Sequence, residues 1–437
     1  MPTSARAASA AAVLRAVLLH GPVPRSRIAE LSGLSPATVT RLFPLLADRG
    51  LLRELGEPEA GQTLGRPRVP VDLDVSAWAV LGVHIGVRRS VFGLLDLRGR
   101  LLGAGECEHE DPSPEAVIAQ AGARLRSMRE RVAGRRRVLG LGVITGGRVD
   151  VEAGRLEEQP GLGWTDVDLR AAFARSTGLP VFVDEHVRAM ATAEGLFGRA
   201  RRAGSLGYLY VGNTLGFAYS ADGAVHRGSR AAAGEIAHLP LGLTPPAAGA
   251  PLAAVGAPRA VGAALVGASA RAGSLLAEPP LADSRFADVD ALADFAPCVC
   301  GSRDCFLALA GERGVAERAV DLGVVPEPRI DLVLKAARAG DEVADRLLRA
   351  RARNVGAAVA VLLGVLDPEL FIVAGRGLTD ATEYLPDLRA GARERLRGEL
   401  PVPIVPTAFG SQVNAVAAAS VVIDRVVRDP LAVRVPR

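Results

Sequence analysis

Residues 179–194 read Leu179-Pro180-Val181-Phe182-Val183-Asp184-Glu185-His186-Val187-Arg188-Ala189-Met190-Ala191-Thr192-Ala193-Glu194, an apolar run that ends in a charged cluster and continues with helical spacing. Residues 181–183 suit a short buried strand, and Met190, Ala191 and Ala193 suit a helix packing back on a sheet. That order belongs to an α/β fold and sets 184–188 at the carboxyl end of a strand, where open α/β sheets keep their ligands. An Asp, a Glu, a His and an Arg within five positions can be a catalytic base with helpers, a ligand clamp or a solvated helix start.

The chain has 437 residues, 49% of them hydrophobic, enough for two or three domains that need no covalent staples. Its formal charge is +4, and Lys335 is the single lysine among its basic residues. So small a net charge is weak evidence for nucleic acid, and local placement has to carry that question. No signal peptide and no apolar run long enough to span a bilayer is evident, so a cytoplasmic protein without a membrane partner is expected. Three of the four cysteines fall within 298–305, a pattern of metal ligation in a reducing compartment rather than of disulfides.

The first seventy residues predict a helix over 7–19, a short helix over 27–32 capped by Ser26 and stopped at Gly33, and a third helix capped by Ser35 with Pro36 at its first position. Helix, glycine turn, helix is a helix-turn-helix, with Ser35, Ala37, Thr38, Thr40 and Arg41 at the start of the second helix where base edges are met. Val39, Leu42 and Leu45 or Leu46 face inward. Two alternating stretches, 51–55 and 69–73, form a hairpin whose loop carries Arg66 and Arg68, a pair suited to a narrow minor groove. The whole reads as a winged helix-turn-helix DNA-binding domain over 1–74, the alternative being a helical bundle for protein contacts. Pro44 interrupts the recognition helix and predicts a kink or an earlier end.

From residue 79 strands alternate with helices: three strands over 80–106, a helix over 113–133, a strand over 138–144, and a second set beginning at 205 and closing with a last strand at 370–375. Three strands, a helix, a strand resembles the opening of an actin-like (ribonuclease H-like) nucleotide-binding fold, expected here in two lobes over 79–437. An Ala/Gly/Pro-rich stretch over about 240–297 is a poor core former and reads as an insertion. His20, His109 and His226 have no motif around them and are expected at the surface.

Gly234-Glu235-Ile236-Ala237-His238, followed by Cys298-Val299-Cys300-Gly301-Ser302-Arg303-Asp304-Cys305, resembles the signature of the ROK family of sugar kinases and sugar-responsive repressors. The resemblance covers nearly the whole chain, since ROK repressors join such a winged helix-turn-helix to a two-lobed kinase-like domain. It implies that Glu235 and His238 touch sugar hydroxyls and that His238 joins Cys298, Cys300 and Cys305 around a structural zinc. Three thiolates and an imidazole suit a closed tetrahedral site. Departures are Ala237 for the motif's glycine, the long interval from His238 to Cys298, and Asp304 and Leu307 where the motif shows Gly and a sugar-contacting Glu. Gly147 matches a glycine that the family sets against the sugar, with equal claim to be a turn glycine.

The same resemblance tests for phosphoryl transfer, which needs a phosphate cradle, a metal and a base. The family's Asp-x-Gly-Gly-Thr falls on His84-Ile85-Gly86-Val87-Arg88; its second glycine cradle falls on Gly212-Asn213-Thr214-Leu215-Gly216; and its catalytic aspartate falls on His186, beside Glu185. These losses predict a non-enzymatic DNA-binding transcriptional regulator, a sugar-responsive repressor that binds a palindromic operator as a homodimer or dimer of dimers. The expected ligand-binding set is Gly147, Glu185, His186, Glu235 and His238. An active DNA-binding sugar kinase and an adaptor controlled by a protein partner are the alternatives.

Overall fold

The computed structural model describes residues 4–56, 69–132, 134–242, 298, 300–379 and 381–434. Three helices come first: α1 (Ala5–His20), α2 (Arg25–Ser32) and α3 (Pro36–Ala47). Strands β1 (Val23–Pro24), β2 (Leu52–Glu54) and β3 (Pro70–Leu73) form a small antiparallel sheet in the order β1-β3-β2. Gly33 ends α2 in the left-handed conformation (φ 67°), which a glycine adopts without steric cost. Ser35 Oγ then accepts from Thr38 N at 3.2 Å to cap α3.

Two details differ from the sequence expectation. Ser26 lies inside α2 and caps nothing; α2 begins two residues earlier than expected, after Pro24, whose fixed φ suits the turn. Pro44 neither ends nor shortens α3, which runs to Ala47. Its ring faces solvent, so the helix loses one backbone bond, to Thr40, without a clash against the core.

The body is two five-stranded sheets with one wiring. In the first lobe β4 (Trp78–Ile85), β5 (Arg89–Leu95), β6 (Leu101–Glu108), β7 (Arg137–Thr145) and β11 (Val181–Glu185) lie in the order β11-β7-β4-β5-β6. In the second, β12 (Ser205–Val211), β13 (Leu215–Ala221), β14 (Ala224–Val225), β15 (Leu370–Ala374) and β16 (Ile404–Pro406) lie in the order β14-β13-β12-β15-β16. Each sheet is an antiparallel meander of three strands with two parallel strands added beside the first. The sequence expectation of a last strand at 370–375 is corrected by β16, only three residues long and too short for a periodicity to show. A second small sheet, β8 (Arg148–Asp150), β9 (Arg155–Gln159) and β10 (Trp164–Val167), was not expected either, because β9 reads Arg-Leu-Glu-Glu-Gln and carries little apolar alternation.

Helix α4 (Pro114–Glu130) and helix α5 (Leu169–Thr177) cover the outer face of the first lobe, where Val117, Leu125 and Phe173 are fully buried against Leu81, Val83 and Leu141. The second lobe is covered by α7 (Phe306–Ala310), α8 (Glu312–Asp321), α9 (Ile330–Arg338), α10 (Glu342–Leu366) and α11 (Leu385–Leu396). Between the two sheets run α6 (His186–Phe197) and α12 (Val413–Arg428), packed on one another. A Cβ on Gly142 would overlap the Ala418 carbonyl oxygen, so α12 lies directly on the first sheet. The far end of α12 joins the N-terminal unit: Val426 and Val427 share one buried cluster with Val13, Leu14 and Val17 of α1 and Leu46 of α3. Among the described residues no helix is long and apolar enough to cross a membrane.

Candidate functional site

The parallel registers bring His84 on β4 and Asp184 on β11 level with Ile144 on β7, so the polar carboxyl ends of the three strands form one row. The charged cluster read from the sequence divides here. Asp184 accepts from Arg188 Nε at 3.2 Å and from Arg227 Nη2 at 2.5 Å, forming a three-member ion-pair network. Arg188 is 2% exposed and also donates to the Ala231 carbonyl at 2.9 Å, so it ties the start of α6 to the loop after β14. Glu185 spends its carboxylate on the chain itself, accepting from Val187 N and Arg188 N at 3.0 Å each as the cap of α6. Burial raises its pKa, partly offset by Arg188 and by those two amide bonds.

His186 alone of the cluster faces the cleft between the lobes, a cavity of about 540 Å³. There its ring meets two others edge-on, His84 with centroids 5.6 Å apart and Tyr210 of β12 at 5.2 Å. Burial, with the positive charge of neighbouring groups second, lowers His84 to about 3 and His186 to about 4, so both imidazoles are neutral at physiological pH. The Nδ1 atoms of both rings and the side-chain oxygen of Asn414, on the first turn of α12, are buried without a hydrogen-bond partner. All three residues line the same cavity. Gly146 closes over the site: a Cβ there would stand 3.0 Å from the His186 ring and 2.8 Å from Gln159 Nε2. Gly147 follows at φ 84°, and a Cβ on it would overlap the Glu158 carbonyl, so its glycine is required by the β7-β8 turn whatever ligand it meets.

Glu235 and His238 lie on the loop after β14, outside the lining of that cavity. Desolvation and then the Glu185 charge push the Glu235 carboxyl upward, which sets Glu235 in the electrostatic reach of α6. His238 converges with Cys298, Cys300 and Cys305, whose ligand atoms all lie within 4.8 Å of one another. Cys298 Sγ stands 3.6 Å from His238 Nδ1 and Cys300 Sγ 3.8 Å from Cys305 Sγ. A tetrahedral ion with bonds of about 2.3 Å to sulfur and about 2.05 Å to nitrogen has edges of about 3.6 Å between N and S and about 3.8 Å between two S, so the residues fit such an ion. The chain leaves this place at Gly242 and returns at Cys298 in register, with Phe306 N donating to Leu239 O at 2.9 Å and Leu307 N to Ala237 O at 2.8 Å. The long interval between His238 and the cysteines therefore does not separate the ligands.

In the N-terminal unit Ser35, Ala37, Thr40 and Arg41 are exposed, Thr38 is half-buried against the Ser35 hydroxyl at 2.9 Å, and Val39, Leu42, Phe43 and Leu46 are buried. Arg66 and Arg68 lie outside the described residues, as does nearly all of the expected insertion. Sequence reasoning missed His84 and Tyr210 as partners of His186, and Asn414. For His84 a signal existed, a histidine near the end of an otherwise apolar strand; nothing local marks Tyr210 or Asn414, which come from distant strands and helices.

Comparison with known proteins gives the family. The ROK family model matches residues 80–425. The transcriptional regulator Rv0485 of Mycobacterium tuberculosis is 33% identical over 432 residues, covering 97% of this chain and 86% of its own. The N-acetylglucosamine repressor of Escherichia coli O157:H7 is 23% identical over 393 residues, covering 86% of this chain and 82% of that one. Among solved structures, a ROK family transcriptional regulator described as a homolog of the E. coli MLC protein superposes with a TM-score of 0.72 at 21% identity, over 98% of each chain. The wiring of the two sheets, the motif loop with its converged cysteines and these matches together make the chain a member of the ROK family, of its transcriptional-regulator kind.

Proposed function

We propose that the chain is a DNA-binding repressor whose cleft senses a sugar or sugar derivative in place of phosphorylating it. The observation that carries this reading is α12: its first turn lines the cleft and its last turn packs on the N-terminal unit, whose Ser35-capped helix exposes Ala37, Thr40 and Arg41. Residues 1–74 act as the DNA-reading domain, with Ser35, Ala37, Thr38, Thr40 and Arg41 in the major groove and Arg66 and Arg68 of the wing in the minor groove. Two copies present two such heads to a palindromic operator in the cytoplasm.

The effector belongs near Gly147, Glu185, His186, Glu235 and His238. Zinc is the ion for His238, Cys298, Cys300 and Cys305, since three thiolates and one imidazole leave no open position for chemistry and the site joins the loop after β14 to the start of α7. Zinc there holds the loop that carries Glu235 in place. A kinase would need carboxylates for a metal and a base at the cleft centre, where this chain has two neutral imidazoles.

The test is Arg41→Ala in the full-length protein. Loss of one base-reading arginine weakens operator binding by about 1–3 kcal/mol and relaxes specificity at one position, with the fold unchanged because Arg41 is exposed. Unchanged affinity in a fluorescence-anisotropy titration would show that α3 does not read the operator.

A further inference from the structure

We infer that Arg98 is a positioning residue for the wing: its ion pair with Asp72 fixes β3 to the first lobe and, by holding Asp72, leaves Arg53 of β2 open to a DNA phosphate. The inference rests on the reading of residues 1–74 as the DNA-reading domain. Arg98 stands in the turn between β5 and β6, and that turn is tightly held. Asp96, 3% exposed, accepts through one carboxylate oxygen from Arg98 N at 2.8 Å and from Arg100 N at 3.0 Å. Leu97 is buried in the cluster that also holds Val17 of α1 and Leu46 of α3. Gly99 follows at φ 77°, and a Cβ on it would stand 2.6 Å from Cγ of Phe197, the last residue of α6, so the end of α6 rests on the turn.

From this turn Arg98 Nη2 donates to Asp72 Oδ1, the two side chains being 21% and 18% exposed, so solvent and salt screen the pair less than a surface one. Asp72 lies in β3, the middle strand of the small sheet, and Leu55 N donates to Pro70 O at 2.9 Å where the wing loop leaves the ladder. A Cβ on Gly21 would stand 2.8 Å from the same Asp72 oxygen, so the carboxylate is wedged between the end of α1 and the first lobe. Directly across the ladder from Asp72 is Arg53. Opposed residues of antiparallel strands hold their Cβ atoms about 4.5–5.5 Å apart on one face, within reach of an arginine once Arg98 lets the carboxylate go. Arg53 is exposed and forms no ion pair among the described residues. Asp72 therefore has two cations to choose between, one on the lobe and one on the wing. The turn that presents the first lies under α6, which opens in the cleft at His186, so the choice follows the state of the cleft.

The experiment compares the full-length native protein with Arg98→Ala, Arg98→Lys and Arg98→Ala/Asp72→Ala. Fluorescence anisotropy over a series of salt concentrations uses a labelled duplex carrying the site that the native protein retains from a random pool. Hydrogen exchange read by mass spectrometry follows the same four proteins without DNA. Arg98→Ala is expected to bind roughly fivefold more weakly. Its slope of log affinity against log salt should be shallower by about one, because Asp72 now takes Arg53 from a phosphate. Arg98→Lys keeps the native slope, and removing Asp72 as well restores it, which a folding defect in Arg98→Ala would not allow. Without DNA, exchange of the β3 amides rises in Arg98→Ala while α2 and α3 stay as protected as in the native protein. A native slope in Arg98→Ala, a shallow slope that persists in the double variant, or unchanged exchange in β3 would overturn the inference. If the native protein retains no duplex, the DNA-reading assignment fails on its own; raised β3 exchange then upholds the tie between Arg98 and the strand, and unchanged exchange removes it.

Discussion

His84 and His186 are held uncharged by burial, and that has a consequence for stability. Unfolded, each titrates near 6.5; folded, near 3 and 4. Below about pH 6.5 the unfolded chain therefore binds protons that the folded chain does not, and stability falls as pH drops, by roughly 1.4 kcal/mol per pH unit for each ring. Above pH 6.5 the effect is constant. Glu185 and Glu235, pushed upward in the fold, work in the opposite sense, so the comparison is with the His84→Gln/His186→Gln variant. Denaturant unfolding at pH 7.5 and 5.5 should show the native protein losing roughly 2–3 kcal/mol more than the variant; parallel losses would mean that the rings are not desolvated. At the His-Cys cluster, metal analysis should find one zinc per native chain and none in Cys305→Ser, since Cys305 is the buried member of the set. Zinc retained at one ion per chain would place it elsewhere.

The residue chemistry was partly legible. Residue types and the resemblance marked His186, Glu185 and the His-Cys set, and the geometry of the last fits a tetrahedral ion. What no pattern encodes is a rotamer: Glu185 turns back on Val187 N and Arg188 N and so presents its oxygens to the helix rather than to a ligand. Asp184 likewise looked available and is consumed by two arginines, one of them 43 positions away.

At the scale of elements, α6 and α12 both begin at the cleft; α12 ends against the N-terminal unit, and the chain just past α6 reaches it. A 16-residue helix such as α12 is about 24 Å long, enough to carry a displacement that far as a rigid body. After α6 the chain reaches Arg201, whose Nη2 donates to the Leu18 and Leu19 carbonyls at 3.2 and 2.9 Å, in the last turn of α1 where no helical amide can satisfy them. Beyond α12, the Leu431 carbonyl accepts from Arg49 Nε at 3.3 Å, just past α3. If these contacts transmit the effector's state, Arg201→Ala leaves operator affinity without effector nearly unchanged and reduces the coupling between effector and operator from the usual range of about 1–3 kcal/mol toward zero. DNA titrations with and without saturating effector check this, and undiminished coupling would exclude the α6 route. Of these long elements α6 was readable from its apolar spacing, whereas no helix over 413–428 was expected from the sequence. The short ones that complete them were not: β1 is two residues and β16 three, lengths at which pairing partners and not local pattern decide the conformation.

At the scale of the molecule, the lobes repeat one strand order without a shared sequence, and the carboxyl ends of both sheets converge on one cleft. The strand-helix alternation made that duplication visible in advance. The continuity of the buried core was not visible: α1 to α3 share a cluster with α6 and α12, so the expected break near residue 75 is a change of architecture without a gap in packing. Such packing lets a change in the cleft reach the DNA-reading surface, which a flexible linker would not.

The most direct test of the central claim is selection of DNA by the full-length protein from a pool of random duplexes, followed by sequencing of what is retained. The account predicts enrichment of a two-fold symmetric site whose half-sites lie a whole number of helical turns apart. Retention of duplexes with no common sequence, or no retention at all, would contradict it.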